Sequence, residues 1–189
     1  MLVLAVAIVV AFGSVSTYFL FQSFSSSTDE DFLQIGRSET AVLGEQAPNF
    51  RLIDLDGNVF ALSDFRDNIV VLDTMATWCV ECRFEMEHLR QIHSKYSDEG
   101  VVLISVDIDP IETNEELRQF KEEFEAQWIF ALDILRLEGR ESRPSSVALN
   151  YQPTPLPTVY IIDQNGKLVF RSSGLTSSET ISQVIENLA

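Results

Sequence analysis

From about residue 45 onward, the hydrophobic and polar positions repeat with periods that predict alternating strands and helices. Nearly uninterrupted apolar runs at 68–76 and 100–109 have the length and composition of strands that are buried on both faces. Residues 80–98, between these runs, carry apolar side chains at close to helical spacing. A strand, a helix and a second strand in this order predict α/β packing with a right-handed parallel crossover.

Shorter patterns predict the remaining elements of this domain. Residues 49–65 alternate between apolar and polar around Asp56-Gly57-Asn58, which is typical of a β-hairpin at the N-terminal side of the domain. An amphipathic helix is predicted over 112–127, with Asn114 as a candidate N-cap. The further predicted elements are a short strand at 128–130, a helical stretch at 143–151, a hairpin at 158–174 and a final helix at 177–188. The pattern predicts a central mixed sheet flanked by helices.

The N-terminal part of the chain has a different pattern. Residues 2–21 contain no charged side chain, and about 20 apolar residues can cross a bilayer as a helix. We therefore predict a transmembrane anchor or signal segment over 1–22, and the renewed apolar run at 18–21 favours the anchor. Residues 23–44 are Ser-rich and acidic, which predicts a linker to a domain at 45–189. Because acidic rather than basic residues follow the segment, we expect the domain to be extracytoplasmic.

Charge and cysteine content narrow the classes of function. The formal net charge is −16 and the pI is about 4.3, which argues against nucleic acid as a partner. The chain has only two cysteines, too few for a framework of structural disulfides. We therefore expect the cysteines to carry chemistry.

The two cysteines, Cys79 and Cys82, lie between the predicted strand 68–76 and the predicted helix 80–98. A cysteine at a helix N-terminus has its thiolate stabilised by backbone N–H groups and by the helix dipole. A second cysteine one turn later can resolve a mixed disulfide. We expect Cys79 to be the exposed attacking thiol and Cys82 to be its partly buried resolving partner, at the carboxyl end of the strand.

Two other kinds of cysteine site fit less well. A zinc site would need His88 and His93, but histidines five residues apart diverge on a helix, so we predict no metal. A thiol peroxidase would need Thr three residues before its reactive cysteine and Pro four residues before that. Relative to Cys79, these positions hold Ala76 and Leu72. The predicted redox group is a Cys79–Cys82 disulfide, without a bound cofactor.

Three segments resemble the TlpA/ResA-like branch of the thioredoxin superfamily. They are "APNFRLIDLDGNVFALSDFRDNIVVL", "VVLDTMATWCVEC" and "PLPTVYIID", and the resemblance covers residues 45–188. It implies a thioredoxin-like fold and a membrane-anchored, extracytoplasmic thiol-disulfide oxidoreductase. The implied partners are protein disulfide substrates and a membrane electron donor that reduces the disulfide again.

The resemblance also implies roles for residues outside the cysteine pair. Pro157 matches a cis-proline that faces the disulfide, and the backbone beside it, from Leu156 to Thr158, is implied to bind substrate. Trp78 matches a tryptophan beside the attacking cysteine and is expected to shield one face of the disulfide.

Two acidic residues match positions near the active site of such proteins. Asp73 matches a buried acid that acts as a general base for Cys82; a side chain pointing outward at the strand end is the alternative. Glu85 matches a glutamate close to the active site, and a solvated helix residue is the alternative.

Glu81 stands where the family often has Pro before the second cysteine. A negative charge there disfavours the Cys79 thiolate, and oxidising members depend on a stabilised thiolate. We therefore expect a reductant of exported proteins, such as apocytochromes. A peptide-binding adaptor or chaperone without redox turnover, and a disulfide-forming oxidant, stay open as alternatives.

Overall fold

A computed structural model describes residues 40–135, 143–144 and 146–188. The predicted segment 1–22 and all but the end of the predicted linker 23–44 lie outside these residues. Within the described ranges, no helix combines the length and hydropathy needed to cross a membrane.

The described residues contain nine strands and four α-helices. In chain order they are β1 (Arg51–Ile53), β2 (Val59–Ala61), β3 (Ile69–Met75), α1 (Val80–Tyr96), β4 (Val101–Asp107), α2 (Asn114–Glu123), β5 (Ile129–Leu132), β6 (Ile134–Leu135), β7 (Arg143–Pro144), α3 (Ser146–Tyr151), β8 (Thr158–Ile162), β9 (Leu168–Ser173) and α4 (Ser178–Glu186).

Five strands form a mixed central sheet in the order β5-β4-β3-β8-β9. β3 pairs in parallel with β4, and β4 with β5, whereas β8 is antiparallel to both β3 and β9. Every residue of β3 is buried, as expected for the central strand of a sheet covered on both faces. The mixed α/β sheet predicted from the sequence is confirmed, and its arrangement is thioredoxin-like.

Side chains of β3 alternate between two apolar layers. Val71 and Met75 pack in the layer that also contains Leu89 of α1 and Ile181 of α4. Val70 and Leu72 point to the other face of the sheet. They pack in the second apolar layer, which is formed by the β1–β2 pair, the residues next to it and α3. Because side chains alternate along a strand, Asp73 faces the same side of the sheet as α1.

The β1 and β2 strands pair antiparallel, with Leu52 opposite Phe60. Asp54 organises the turn between them, since its Oδ1 accepts the backbone N–H groups of Asp56 and Asn58. The pair covers the face of the sheet opposite α1, so it does not contribute to the cysteine loop.

One predicted boundary needs correction. The N-cap of α2 is Thr113 rather than Asn114, because the extended backbone of Thr113 lets its hydroxyl accept from the Glu116 N–H. The Glu116 carboxylate in turn accepts the Thr113 N–H at 2.8 Å, which completes a capping box. At the N-terminus, Ala41 N–H donates to Asn150 O and Gly44 N–H to Leu168 O. These hydrogen bonds tie the end of the predicted linker to the domain.

Candidate active site

The cysteine pair lies where β3 ends and α1 begins. The chain turns after β3 through a hydrogen bond from Cys79 N–H to Ala76 O at 3.1 Å. Cys79 then becomes the N-cap of α1, and its Sγ accepts the Cys82 N–H at 3.2 Å. The two cysteines are joined by a disulfide, with their Cα atoms 5.2 Å apart.

Both sulfurs are enclosed in the disulfide form. Cys79 is 4% exposed and Cys82 is 1% exposed. Cys79 is thus more exposed than its partner, as predicted. The expectation that Cys79 is exposed is nevertheless wrong for the disulfide form. Both residues pack in the apolar layer under α1, because Val80 and Trp78 turn outward at the helix start while the cysteines turn inward.

Asp73 is buried on the α1 side of β3. Its Oδ2 accepts the hydroxyl of Ser105, its register partner on β4, at 2.9 Å, and that hydroxyl oxygen accepts the Trp128 indole N–H at 3.0 Å. Its Oδ1 has no hydrogen-bond partner among the described residues. Burial raises the pKa of Asp73 to about 7, against the lowering effect of the Ser105 hydrogen bond. The alternative of an outward-pointing side chain is wrong.

Glu85 is also buried, although it belongs to a helix whose other glutamates are exposed. Its Oε2 accepts the backbone N–H of Thr176 at 2.8 Å, from the loop between β9 and α4. Its Oε1 has no partner within the described residues. Burial is the main cause that raises its pKa to about 8; the Thr176 hydrogen bond opposes this rise, and the negative charge of Asp73 adds to it. The alternative of a solvated helix glutamate is wrong.

These two carboxyl groups form one electrostatic unit beneath the cysteine loop. The negative charge of Asp73 contributes to the raised pKa of Glu85, so the two groups are close enough to interact. Each has one oxygen committed to a hydrogen bond and one without a donor in the described part of the chain. An uncommitted oxygen on an acid that titrates near neutral pH is suited to exchange a proton with a neighbouring sulfur.

The segment predicted to contact substrate lies next to the end of β3. Thr158 is the register partner of Thr74, so Pro157 comes opposite the residue that ends β3. The Leu156–Pro157 peptide bond is cis, as the resemblance implies. Leu156 is half-buried and packs against the apolar layer that contains both cysteines.

Thr158 is the first residue of β8, and the predicted contact of its backbone with substrate stays a prediction. Its side chain is fully buried, and its hydroxyl donates to Pro155 O at 2.7 Å, while its carbonyl accepts the Thr74 hydroxyl at 2.9 Å. The Thr158 side chain is therefore part of the sheet and is not presented to a substrate in this conformation.

Trp78 lies at the rim of the site, and most of its side chain is exposed. Its indole N–H donates to Asp109 Oδ2 at 2.7 Å, so the ring is tied to the loop that follows β4. Four further exposed apolar residues lie on segments that contact or adjoin the cysteine loop: Val80, Phe84, Ile111 and Leu175. We call these five residues the apolar rim.

The loop between β4 and α2 holds acidic residues that sequence reasoning missed. Glu112, which is buried, accepts both the backbone N–H and the hydroxyl of Thr77, two residues before Cys79. Behind it, Asp107 is fully buried at the end of β4. The available signal was "DIDPIE" at 107–112, since acids directly after a buried parallel strand lie at the same sheet edge as the cysteine loop.

The two histidines do not join the cysteines. His93 is half-buried and stacks on Trp128, with ring centroids 5.6 Å apart, and His88 is half-buried on the same helix. Within the described residues, no group of three or more His, Cys, Asp or Glu side chains is arranged to hold a metal.

A groove of about 670 Å³ lies along the far part of α1, lined by residues that include Arg90, His93 and Gln127. No residue of the cysteine loop lines it, so this groove lies away from the disulfide.

The sequence and fold have clear relatives. Residues 43–171 match the AhpC/TSA family. The chain is 30% identical over 152 residues to the thiol-disulfide oxidoreductase ResA of Bacillus thuringiensis subsp. konkukian, covering 80% of this chain and 82% of that protein. It is 32% identical to ResA of Geobacillus thermodenitrificans, covering 79% and 80%. The thioredoxin domain of a thiol-disulfide oxidoreductase from Bacteroides vulgatus superposes with a TM-score of 0.66 at 25% identity, covering 79% and 100%.

Proposed function

Because this chain belongs to the AhpC/TSA family and to its ResA-type thiol-disulfide oxidoreductases, we propose that it reduces disulfides of exported proteins, such as apocytochromes, outside the cytoplasm. The observation that carries this proposal is the Cys79–Cys82 disulfide at the N-terminus of α1, beneath which lie two buried acids with uncommitted oxygens. This arrangement supplies a nucleophile, a resolving thiol and groups that can exchange protons.

In the reduced protein, the Cys79 thiolate attacks a substrate disulfide and releases one substrate thiolate. The product is a mixed disulfide between Cys79 and the substrate. Cys82 then attacks the Cys79 sulfur, so the second substrate sulfur leaves and the internal disulfide forms. Two electrons pass to the substrate. The proton of the Cys82 thiol goes to the carboxylate of Asp73 or Glu85, whose pKa values near neutrality suit that transfer.

Acidic side chains support the reducing direction. Glu81 is exposed between the cysteines, Asp73 and Glu85 lie beneath them, and Glu112 and Asp109 bind the two residues before Cys79. Negative charge disfavours a thiolate, and a strong oxidant is one whose reduced form is stabilised as a thiolate. We expect a reduction potential near or below the about −270 mV of thioredoxin. A value close to that of a strong oxidant, measured by equilibration with a thiol redox buffer, would contradict this direction.

The apolar rim supports a polypeptide substrate. Exposed apolar side chains that cluster in one place mark surfaces for protein contact. Reduction of insulin by the wild-type protein and by Cys79→Ser tests the redox function against the adaptor alternative. The variant should be inactive, whereas equal rates would leave only peptide binding.

The substrates can be identified by trapping them as mixed disulfides with the protein. A Cys82→Ser variant keeps the attacking thiol and loses the resolving one, so it should accumulate mixed disulfides with its substrates. The double variant Cys79→Ser/Cys82→Ser is the matched control. Absence of any adduct in the single variant would mean that the roles of the two cysteines are assigned wrongly.

Membrane attachment through residues 2–21 and re-reduction by a membrane electron donor complete the proposal. Fractionation of cells that express the full chain, followed by protease treatment of intact cells or spheroplasts, tests both attachment and sidedness. The domain should sediment with membranes and be cleaved from outside. Recovery in the cytosolic fraction would contradict the proposed location.

A further inference from the structure

The loop between β4 and α2 contacts each of the two residues that precede Cys79. Glu112 Oε2 accepts the backbone N–H of Thr77 at 3.1 Å, and Oε1 accepts its hydroxyl. Asp109 Oδ2 accepts the indole N–H of Trp78 at 2.7 Å. The turn that leads into the reactive cysteine is therefore held by hydrogen bonds to a loop that is distant in the sequence.

Glu112 lies beside a second buried acid. The Oδ1 of Asp107 accepts the Asp109 N–H at 2.8 Å, and its Oδ2 has no hydrogen-bond partner among the described residues. Burial and the neighbouring Glu112 raise the pKa of Asp107 to about 9, so at neutral pH it carries a proton that it can donate to Glu112.

Two buried carboxyl groups are costly unless their hydrogen bonds are satisfied, and here the bonds of Glu112 go to the cysteine loop. Thr77 lies inside the turn closed by the Cys79 N–H and Ala76 O, which fixes where Cys79 enters α1. A shift of Thr77 therefore moves the Cys79 sulfur relative to the helix N-terminus.

We propose that Glu112 is a positioning residue for Cys79: by binding both donors of Thr77, it fixes the turn that places the Cys79 sulfur at the N-terminus of α1. The N–H groups there, including that of Cys82 at 3.2 Å from the sulfur, stabilise the thiolate. Glu112 thus acts on the reactivity of Cys79 through Thr77, without touching the substrate.

The test measures the pH dependence of Cys79 alkylation by iodoacetamide in reduced protein that carries Cys82→Ser, so that Cys79 is the only thiol. Glu112→Ala and Glu112→Gln both remove the charge, but the glutamine oxygen can still accept the Thr77 N–H. The other acids around the sulfur, Asp73, Glu81, Glu85 and Asp109, are the same in both. The difference between the two variants therefore isolates positioning from charge.

We expect the alkylation midpoint of Glu112→Ala to lie above that of Glu112→Gln by about one pH unit, a tenfold smaller thiolate fraction at a given pH. Glu115→Ala, which removes an exposed charge from the first turn of α2, should leave the midpoint unchanged. Coincident midpoints for the two Glu112 variants, or a lower one for alanine, would overturn the proposal.

Thr77 provides a second comparison, and its serine and valine variants do not depend on the folding of Glu112→Ala. Thr77→Ser keeps the hydroxyl that donates to Glu112, and Thr77→Val loses it. The valine variant should have the higher midpoint, and the double variant Thr77→Val/Glu112→Ala should match Glu112→Ala alone. Equal midpoints for Ser and Val, or independent effects in the double variant, would contradict action through Thr77.

These measurements need only the thiol of Cys79 and not a protein substrate. If the wild-type protein failed to reduce insulin, the proposed function would fail while the positioning role of Glu112 could still be decided.

Discussion

Two pairs of buried acids lie on the elements that carry or adjoin the disulfide, and they are bonded in different ways. Asp73 and Glu85 lie beneath the cysteines, and each keeps one oxygen without a donor in the described residues. Glu112, beside the cysteines, has its oxygens engaged by Thr77 and lies beside Asp107. The comparison shows that burial alone does not define the role of a carboxyl group: uncommitted oxygens suit proton exchange, and committed ones suit positioning.

The largest loss of insulin-reducing activity should come from a substitution in the pair beneath the disulfide. Glu85→Gln keeps the shape and the hydrogen bond from Thr176 but removes the titrating group. We expect insulin reduction to slow on the order of 100-fold, as for loss of a general acid–base group. Glu87→Gln, on the exposed side of the same helix, is the matched control and should keep the wild-type rate. Equal rates for both variants would remove Glu85 from the chemistry.

The next largest loss of activity is expected at Glu112, and combining it with a substitution at Glu85 tests whether the two pairs of acids act independently. Glu112→Ala should slow insulin reduction about tenfold, since small displacements of a reacting group cost rates of this order or more. Combined with Glu85→Gln, it should multiply the loss, because proton exchange and positioning are independent contributions. A double variant no slower than Glu85→Gln alone would show that both acids serve one step.

The pH dependence of the free energy of unfolding tests the raised pKa values of the pair beneath the disulfide more directly. Relative to their unfolded values, the folded-state pKa of Asp73 is raised from 3.8 to about 7 and that of Glu85 from 4.5 to about 8. Between these values the folded state binds more protons than the unfolded chain, so the free energy of unfolding falls as pH rises. The fall is up to about 1.4 kcal/mol per pH unit for each group.

Urea unfolding of the oxidised protein at pH 5, 6 and 7 measures this slope. Asp73→Asn and Glu85→Gln should each flatten it by one group's contribution. Slopes that are unchanged in both variants would mean that the two acids ionise in the folded protein as they do in the unfolded chain.

The smallest expected effect is the change in the free energy of unfolding caused by Asp107→Asn at neutral pH. Asparagine can replace a protonated aspartic acid as a donor to Glu112, so stability at pH 7 should change by less than about 1 kcal/mol. Because the folded-state pKa of Asp107 is raised from 3.8 to about 9, the wild-type protein should still lose stability between pH 8 and 9. The variant should lack this loss, and thermal unfolding at the two pH values measures it. The same loss in both proteins would mean that Asp107 is not protonated beside Glu112.

The parts of the site that could be predicted from the sequence are those set by local geometry. Cys79 and Cys82 are one helical turn apart, so a strand before them and a helix after them were enough to predict a redox pair. The burial of Asp73 followed from its place in an apolar run, together with the resemblance. Both features depend on residues that are neighbours in the chain.

The rest depended on contacts between distant segments. The pattern of α1 alone does not distinguish Glu85 from the exposed glutamates beside it; Glu85 is buried because the Thr176 loop, 91 residues away, lies against it. Pairing with β3 and β9 encloses the Thr158 side chain, which the local pattern does not show. The N-cap at Thr113 was missed because Thr and Asn both suit that position, and backbone geometry decides between them.

By itself, the sequence determined the elements and the chemical identity of the site, because apolar periodicity and a Cys-x-x-Cys spacing act over a few residues. The tertiary structure alone decided which acids are buried at the site and what they bind. Parallel pairing of β3 with β4 brings the carboxyl ends of both strands to one edge, and Glu112 thereby reaches Thr77 across 35 residues of chain. Strand order sets such a contact, and strand order is a property of the whole packed sheet.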